Sequence, residues 1–469
     1  MKTINRLFRL QFFPLVLQVV SLGAFVLLVA GGLVADTSEM GFAKVLRNTN
    51  LANLLVWSYW WPLIILSAIF LGRVWCTICP MELLTSLASR IGLRRRPPAW
   101  LRSGWAMTAL YVAILFVGIH TLAIHRVPRR MALYLMGLAG IALLSGLLFA
   151  RNAFCAHLCP VGHLLGLYAR FAPFGWAVRR RDLCSTCKDR SCISGERAYD
   201  FQGRSCGVGL HPARIDRNDD CILCGQCLKA CEQGGAGITD RPNPGWFRRR
   251  WFADVLEPKP LSAAQAAFAF VVSGFVVYEL LTEWNVSAAM LLWLPLKVEA
   301  IVGVGTVWGR GLLKSTLLFI GLPALFWSLP YLAFRLVGGK LALQDYVLRF
   351  GAAFLPLMAG AHATKAVIKM TSRLPYWRLA LVDPVGLGTA RALLSRTRVL
   401  APLPLWRDPL VTAVGLVFMG GGVVLSAMTV RRLAGQWVAG SGRRRASLYL
   451  IPALLGGVLF GMLISWRVW

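Results

Sequence analysis

The chain has 469 residues, 57% of them hydrophobic and only 15% charged, with a mean hydropathy of +0.61. That composition excludes an ordinary soluble domain and points to an integral membrane protein. The net charge of +31 gathers beside apolar runs, as in RRRPP at 94–98 and Arg179–Arg181. It therefore reads as positive loops facing anionic lipid headgroups, with no nucleic-acid partner.

A bilayer crossing takes about 20 apolar residues. In chain order such runs occupy 11–35, 50–72, 104–124, 131–150, 260–282, 311–337, 342–364, 409–430 and 446–467. A tenth stretch, 286–308, contains Pro295, Lys297 and Glu299 and reads as either a span or a re-entrant segment. The first apolar run, of ~25 residues, exceeds the about 7–15 of a signal-peptide core and is read as a retained anchor. A basic N-terminus (Lys2, Arg6, Arg9), basic segments at 73–103 and 151–259, and a nearly neutral 36–50 loop place the N-terminus and both large loops in the cytoplasm. Arginines in both 371–408 and 431–445 leave the orientation of the C-terminal half open.

All 12 cysteines lie between 76 and 231, on the cytoplasmic side of that topology. The compartment is reducing, so clustered thiols there read as metal or redox sites and not as disulfides. NDDCILCGQCLKACEQGG, residues 218–235, sets Cys221, Cys224, Cys227 and Cys231 in a C-x2-C-x2-C-x3-C run. That is the bacterial spacing for a [4Fe–4S] cluster, in which the fourth cysteine ligates the other cluster of a pair. A looser partner run lies upstream: Cys184, Cys187 and Cys192, with Cys206 following. Crossing the fourth ligands gives one site of Cys184, Cys187, Cys192 and Cys231, and another of Cys221, Cys224, Cys227 and Cys206. Paired structural zinc sites are the competing reading. Glu232 stands where a proline usually follows the fourth cysteine.

Two further pairs repeat one another. CTICPMELLTSLASR (76–90) and CAHLCPVGHLLGLYAR (155–170) align on Cys-Pro, matching Pro80 with Pro160, Leu84 with Leu164, Leu87 with Leu167 and Arg90 with Arg170. Each ends a two-span hairpin and leads into an arginine triplet. A helix N-terminus opened by proline stabilises a thiolate just before it. Two parallel copies would bring Cys76, Cys79, Cys155 and Cys159 together, as a further iron site or as redox-active dithiols.

With these motifs, residues 1–240 resemble the membrane polyferredoxins of the NapH/NosR type, with CcoG-like relatives. CAHLCP has that family's C-x3-C-P form, and CTICP is one residue shorter. The resemblance implies inner-membrane electron transfer, often with quinol.

The expected fold is an α-helical integral membrane protein of about nine or ten transmembrane helices with an inserted cytoplasmic ferredoxin-like α+β domain. Its parts are 1–181, a bundle of two hairpin/Cys-Pro units; 182–245, the two-cluster domain; and 246–469, a second bundle. In the second bundle, Gly457-x3-Gly461 and Gly420–Gly422 suit close helix packing. His120 and His362 are candidate quinone contacts, with haem not expected. Glu279, Glu283, Lys297 and Glu299 gather around the uncertain segment, where intramembrane charge is costly and often functional. The expected function is an electron relay between a cytoplasmic ferredoxin or reductase and the quinone pool or a partner membrane subunit, in a bacterial inner membrane. A maturation factor that reduces a metal or disulfide in another complex is the alternative, and a redox-gated transporter a third reading.

Overall fold

The computed structural model describes residues 2–178, 181–201, 203–231, 245–248, 251–401, 407–438 and 442–468. Arg179, Arg180 and Glu232, singled out above, lie outside the described residues.

Nine helices among the described residues are long and apolar enough to cross a membrane: Leu15–Leu33, Leu51–Leu71, Pro128–Leu148, Ala263–Leu281, Asn285–Val302, Val307–Leu336, Leu343–Ser372, Asp408–Trp437 and Gly442–Ser465. The run expected to span at 104–124 is instead a shorter apolar helix, Trp105–Ile119. At 1.5 Å per residue an α-helix of that length covers about 22 Å, short of the ~30 Å hydrocarbon thickness. Its last turn widens to π-helix at Ile114–Ile119, and the chain then leaves the helix through a left-handed Ala123.

The chain forms two compact units. The first comprises Met1–Ala30, Leu66–Leu110 and Leu133–Asp254; the second comprises Gly31–Ile65, Tyr111–Ala132 and Val255–Trp469.

In the first unit, the helix Pro80–Ile91 lies against the end of Pro128–Leu148. A Cβ on Gly92 would meet the Leu147 oxygen at 2.3 Å, and one on Gly146 the Thr85 oxygen at 2.6 Å. Leu93 N–H donates to the Leu147 oxygen at 2.6 Å and Arg95 N–H to that of Leu148 at 3.1 Å, so the basic run after the first Cys-Pro helix is tied to the second hairpin. The strand content among the described residues is one antiparallel pair, Phe174–Ala177 with Gly245–Arg248, which brings together the two ends of the cysteine-bearing segment. Phe8 of the N-terminal helix Lys2–Arg9 packs with Trp176, Leu223, Cys227 and Leu228 into a small buried core.

In the second unit, Leu343–Ser372 and Asp408–Trp437 cross at small residues. A Cβ on Gly360 would meet the Phe418 oxygen at 2.6 Å, and one on Gly422 the Pro356 oxygen at 2.7 Å. Gly422 therefore packs as expected. Gly457 and Gly461 do not: a Cβ on either meets nothing within 4 Å, and Gly456 takes the close contact with Val423 instead.

Contacts within the second unit sort its loops into two ends. At one end, Leu261 N–H donates to the Leu348 oxygen at 2.8 Å, Thr429 Oγ1 to that of Val255 at 3.4 Å, and Arg444 Nε to that of Val337 at 3.4 Å. At the other, Leu51 N–H donates to the Pro384 oxygen at 2.9 Å, Thr49 Oγ1 to that of Gly386 at 2.9 Å, and Tyr59 OH to that of Met370 at 3.0 Å. Helix Val307–Leu336 starts at this second end, where Gly311 abuts Thr121, and finishes beside Arg444. Asn285–Val302 consequently begins and ends at the second end and does not carry the chain across. Residues 370–386 share an end with residues 49–51, and Thr429 and Arg444 lie at the opposite one.

Candidate metal centres

The two Cys-Pro units are built alike. Cys79 and Cys159 are the extended residues that precede helices Pro80–Ile91 and Pro160–Ala169, and Pro80 and Pro160 open them. Proline suits that position because its missing N–H would have no partner in the first turn. The next N–H groups of each helix, Met81 and Glu82 in one and Val161 and Gly162 in the other, act on the preceding thiol. Each helix thus directs its positive end at one sulfur. Cys76 lies in the short helix Val74–Ile78 and Cys155 in the π-helical turn Phe154–Leu158.

Burial pushes the Cys79 and Cys155 thiols up and lifts Cys159 to about 11. After burial, the charges that raise Cys79 are those of Cys76 and Cys159; those that raise Cys155 are Glu82, Cys159, Cys79 and Cys76. The four thiols share one electrostatic neighbourhood.

The downstream thiols form two more. Burial and then Cys231, Cys184 and Cys187 lift Cys192 to about 11. Burial and then Cys206, Cys224, Cys221 and, last, Cys192 push Cys227 up. Left-handed backbone at Arg190, Leu223 and Gly225 lets the chain turn tightly round these sulfurs. Arg190 N–H donates to Cys187 Sγ at 3.4 Å and Leu210 N–H to Cys206 Sγ at 3.3 Å. Such donors are among the features that set an iron–sulfur potential.

Among the described residues, no three His, Cys, Asp or Glu groups close to the distances of a single metal ion. A zinc tetrahedron needs its thiolates about 2.3 Å from one centre. A cubane spreads its ligands over separate corners. Four thiols gather in each neighbourhood, wholly or partly buried, and form a donor set that suits the iron–sulfur group.

A polar scaffold that the sequence pattern did not reveal surrounds these thiols. Glu82, 1% exposed, accepts from Gln18 Nε2 and Asn152 Nδ2 at 2.6 Å each and pairs with Arg204. Arg170 Nε and Nη2 donate to Asp219 Oδ2 at 2.9 and 2.5 Å, with both side chains fully buried. Arg73 Nη1 donates to the Asp219 oxygen at 2.8 Å, and Thr77 Oγ1 to that of Leu223 at 3.0 Å. A Cβ on Gly166 would strike the Asp219 oxygen at 2.6 Å. The repeat-matched arginines divide the segment between them: Arg170 grips Asp219, and Arg90 donates to the Asp200 oxygen at 3.2 Å and lies over the Phe201 ring. The match of Arg90 with Arg170 was the one available signal; Glu82, Arg73 and Arg204 carried none.

In the second unit, His120 and His362 join one aromatic cluster. His120 stacks on Phe319 at 5.2 Å, Phe319 meets Phe275 at 5.8 Å, and Phe275 meets His362 at 6.1 Å. His120 Nδ1 is 2.8 Å from Ser315 Oγ. The carboxylates separate. Glu283 pairs with Lys365, whose Nζ also donates to the Glu279 backbone oxygen at 2.6 Å, whereas Glu299 faces Arg310 at 3.8 Å. Between residues 283 and 299 an α-helix advances about 24 Å, so the helix Asn285–Val302 holds the two groups apart.

Comparison with known proteins agrees with the thiol-bearing part. The family model described as a 4Fe-4S binding domain matches residues 53–98 and 131–183, one stretch over each Cys-Pro unit. The chain is 31% identical over 132 residues to the methylamine utilization ferredoxin-type protein MauN of Paracoccus denitrificans, covering 25% of this chain and 46% of the relative. It is 30% identical over 190 residues to protein NirI of the same organism (36% and 26%), and 29% identical over 106 residues to the ferredoxin-type protein NapH of Escherichia coli (22% and 34%). It thus spans less than half the length of each of these relatives. No solved structure matches the chain. Over its N-terminal half, the chain resembles the membrane polyferredoxins, and residues 53–98 and 131–183 match the 4Fe-4S binding domain.

Proposed function

We propose that the chain is an iron–sulfur electron-transfer protein of a bacterial inner membrane. It would pass electrons between a cytoplasmic ferredoxin or reductase and the quinone pool or a partner membrane subunit. The grouping of the twelve thiols carries this reading. Cys184, Cys187, Cys192 and Cys231 form one candidate site, Cys206, Cys221, Cys224 and Cys227 a second, and Cys76, Cys79, Cys155 and Cys159 a third.

The sets are consecutive. Cys192 acts on Cys227, and Arg73 acts on Cys221 as well as on Cys76 and Cys159. Bound clusters would supply one-electron chemistry. The protein's own part is positional. Arg73 and Arg170 fix the loop before Cys221, the Glu82–Arg204 pair fixes the first Cys-Pro helix, and helix N-termini and loop N–H groups face the sulfurs. His120 and His362 remain candidate quinone contacts, with Glu279 and Glu299 as candidate proton-path groups in separate places.

The test is anaerobic iron and sulfide quantification with EPR of the reduced full chain, followed by a quinone analogue. About eight iron per chain supports two cubanes, and about twelve adds the Cys-Pro site. Loss of the signals on quinone addition supports the relay. Retention of the signals turns the reading toward a protein partner or a maturation role, and absence of iron overturns it.

A further inference from the structure

The second end of the second unit holds more partly or wholly buried positive charge than its carboxylates answer. Arg47 lies in the helix Met40–Thr49, Arg126 in the turn before Pro128, and Lys365, Lys369 and Arg373 along the end of Leu343–Ser372. Arg373, Glu283 and Arg126 act electrostatically on Arg47, and Glu279, Lys365, Glu283 and Arg47 on Lys369. Five cations therefore face two carboxylates. The Glu283 carboxylate is already bound to Lys365. Among the described residues, the guanidinium groups of Arg47 and Arg373 make neither a hydrogen bond nor an ion pair.

Three shielded groups here lack a hydrogen-bond partner in a way that specifies a ligand. They are Arg47 Nε, Arg373 Nε and His125 Nδ1. Arg126 Nε donates to His125 Nε2 at 3.1 Å, so in the neutral ring the proton sits on Nδ1. All three are donors without an acceptor. Asn53 Oδ1 is the nearby orphaned acceptor. Native proteins pair nearly all such buried groups, and an uncompensated charge in a membrane protein is costly.

The local backbone is also irregular. The π-helical turns Val56–Trp60 and Ile114–Ile119 lie in the helices that adjoin this cluster, and such turns concentrate at functional sites. Tyr59, within the first, donates to the Met370 oxygen and packs on Trp377 at 5.0 Å, which joins the turn to the Lys369–Arg373 segment.

We propose that this basic cluster binds an oxyanion of the phosphate class, held by Arg47, Lys369 and Arg373 with His125 as a neutral donor. Planar guanidinium forks match tetrahedral oxyanions, and the charge excess is of the right sign. The same chemistry is offered by a soluble oxyanion and by the phosphodiester of an anionic lipid. The site does not rest on the iron–sulfur reading.

The test uses the purified full chain, with iron content as the check that the first unit is intact. In detergent, inorganic phosphate is titrated against chloride at equal ionic strength while Tm is followed. In parallel, nanodiscs of phosphatidylglycerol are compared with phosphatidylcholine, with native mass spectrometry for retained lipid. Arg47→Gln and Arg373→Gln are carried through both arms, and Lys369→Gln serves if either fails to fold. A phosphate-specific rise in Tm whose midpoint shifts about tenfold or more in the variants supports a soluble oxyanion. A phosphatidylglycerol-specific rise with retained lipid, lost in the variants, supports a headgroup. No response in either arm, or a response unchanged in all folded variants, overturns the site.

Discussion

The two units differ in how their shielded arginines are paired. In the first, the buried carboxylates Glu82 and Asp219 are each held by an arginine, Glu82 by Arg204 with Asn152 and Gln18, and Asp219 by Arg170, although Arg73 Nε, Arg204 Nε and Asp219 Oδ1 make no hydrogen bond among the described residues. In the second, Arg47 and Arg373 carry shielded N–H groups that point at no acceptor. The contrast separates a scaffold from a receptor. Arginines paired with carboxylates fix the segment that carries the sulfurs, whereas cations in excess of their carboxylates suit an added anion.

The largest expected effect lies in the first unit. Cys221→Ser is expected to remove about four iron per chain while leaving the other candidate sites loaded. Cys76→Ser combined with Cys155→Ser is expected to remove about four more, read by iron and sulfide assay. Unchanged iron in the double variant would restrict the Cys-Pro units to a structural or dithiol role.

Breaking the Arg170–Asp219 pair comes next. Arg170→Gln leaves buried Asp219 with only the longer contact to Arg217 at 3.7 Å and is expected to destabilise the fold by about 3 kcal/mol. Replacing both members, Arg170→Met with Asp219→Leu, is expected to recover much of that loss, because an apolar pair of similar size avoids desolvated charge. Thermal unfolding followed by circular dichroism reads both. A double variant as unstable as the single one would mean that Asp219 holds the loop through further contacts of its own.

These two classes of residue also mark what the sequence made legible. Cysteine spacing has few uses, so the thiols could be sorted before any coordinates, and the Cys-Pro repeat forecast the matching N-cap geometry at Cys79 and Cys159. Hydropathy located the long helices. It could not show that Trp105–Ile119 stops short or that Asn285–Val302 returns to its starting end, because both are decided by tertiary contacts. Glu82 and Arg204 are 122 residues apart and share no local pattern. The charges expected to cluster near 279–299 were close in sequence, yet a helix axis lies between them.

In the second unit the Glu283–Lys365 pair supplies a pH test. Burial alone would raise the Glu283 carboxyl, but Lys365 outweighs it and holds the group down at about 2. Because the folded value is depressed, the pair's stabilisation is present above the ordinary carboxylate range near 4.5 and is lost as pH falls toward 2. Wild type is therefore expected to lose more Tm than Glu283→Gln between pH 5 and about 3. Equal losses would show that the pair adds nothing in this window.

The smallest effect sharpens the helix-packing difference within the second unit. Gly422→Ala is expected to cost stability, because the new methyl would lie 2.7 Å from the Pro356 oxygen, a backbone atom that cannot step aside without moving its helix. Gly461→Ala meets open space. There the only local change is a better helix former, worth about 0.5–1 kcal/mol in favour of the variant. The two substitutions are chemically identical and differ only in what faces them, so opposite signs in Tm follow if Gly422 is a packing contact and Gly461 an open one. If Gly461→Ala instead lowers Tm, the open face around Gly457 and Gly461 is covered in the working protein, and cross-linking at that face would then identify the second copy or partner that covers it.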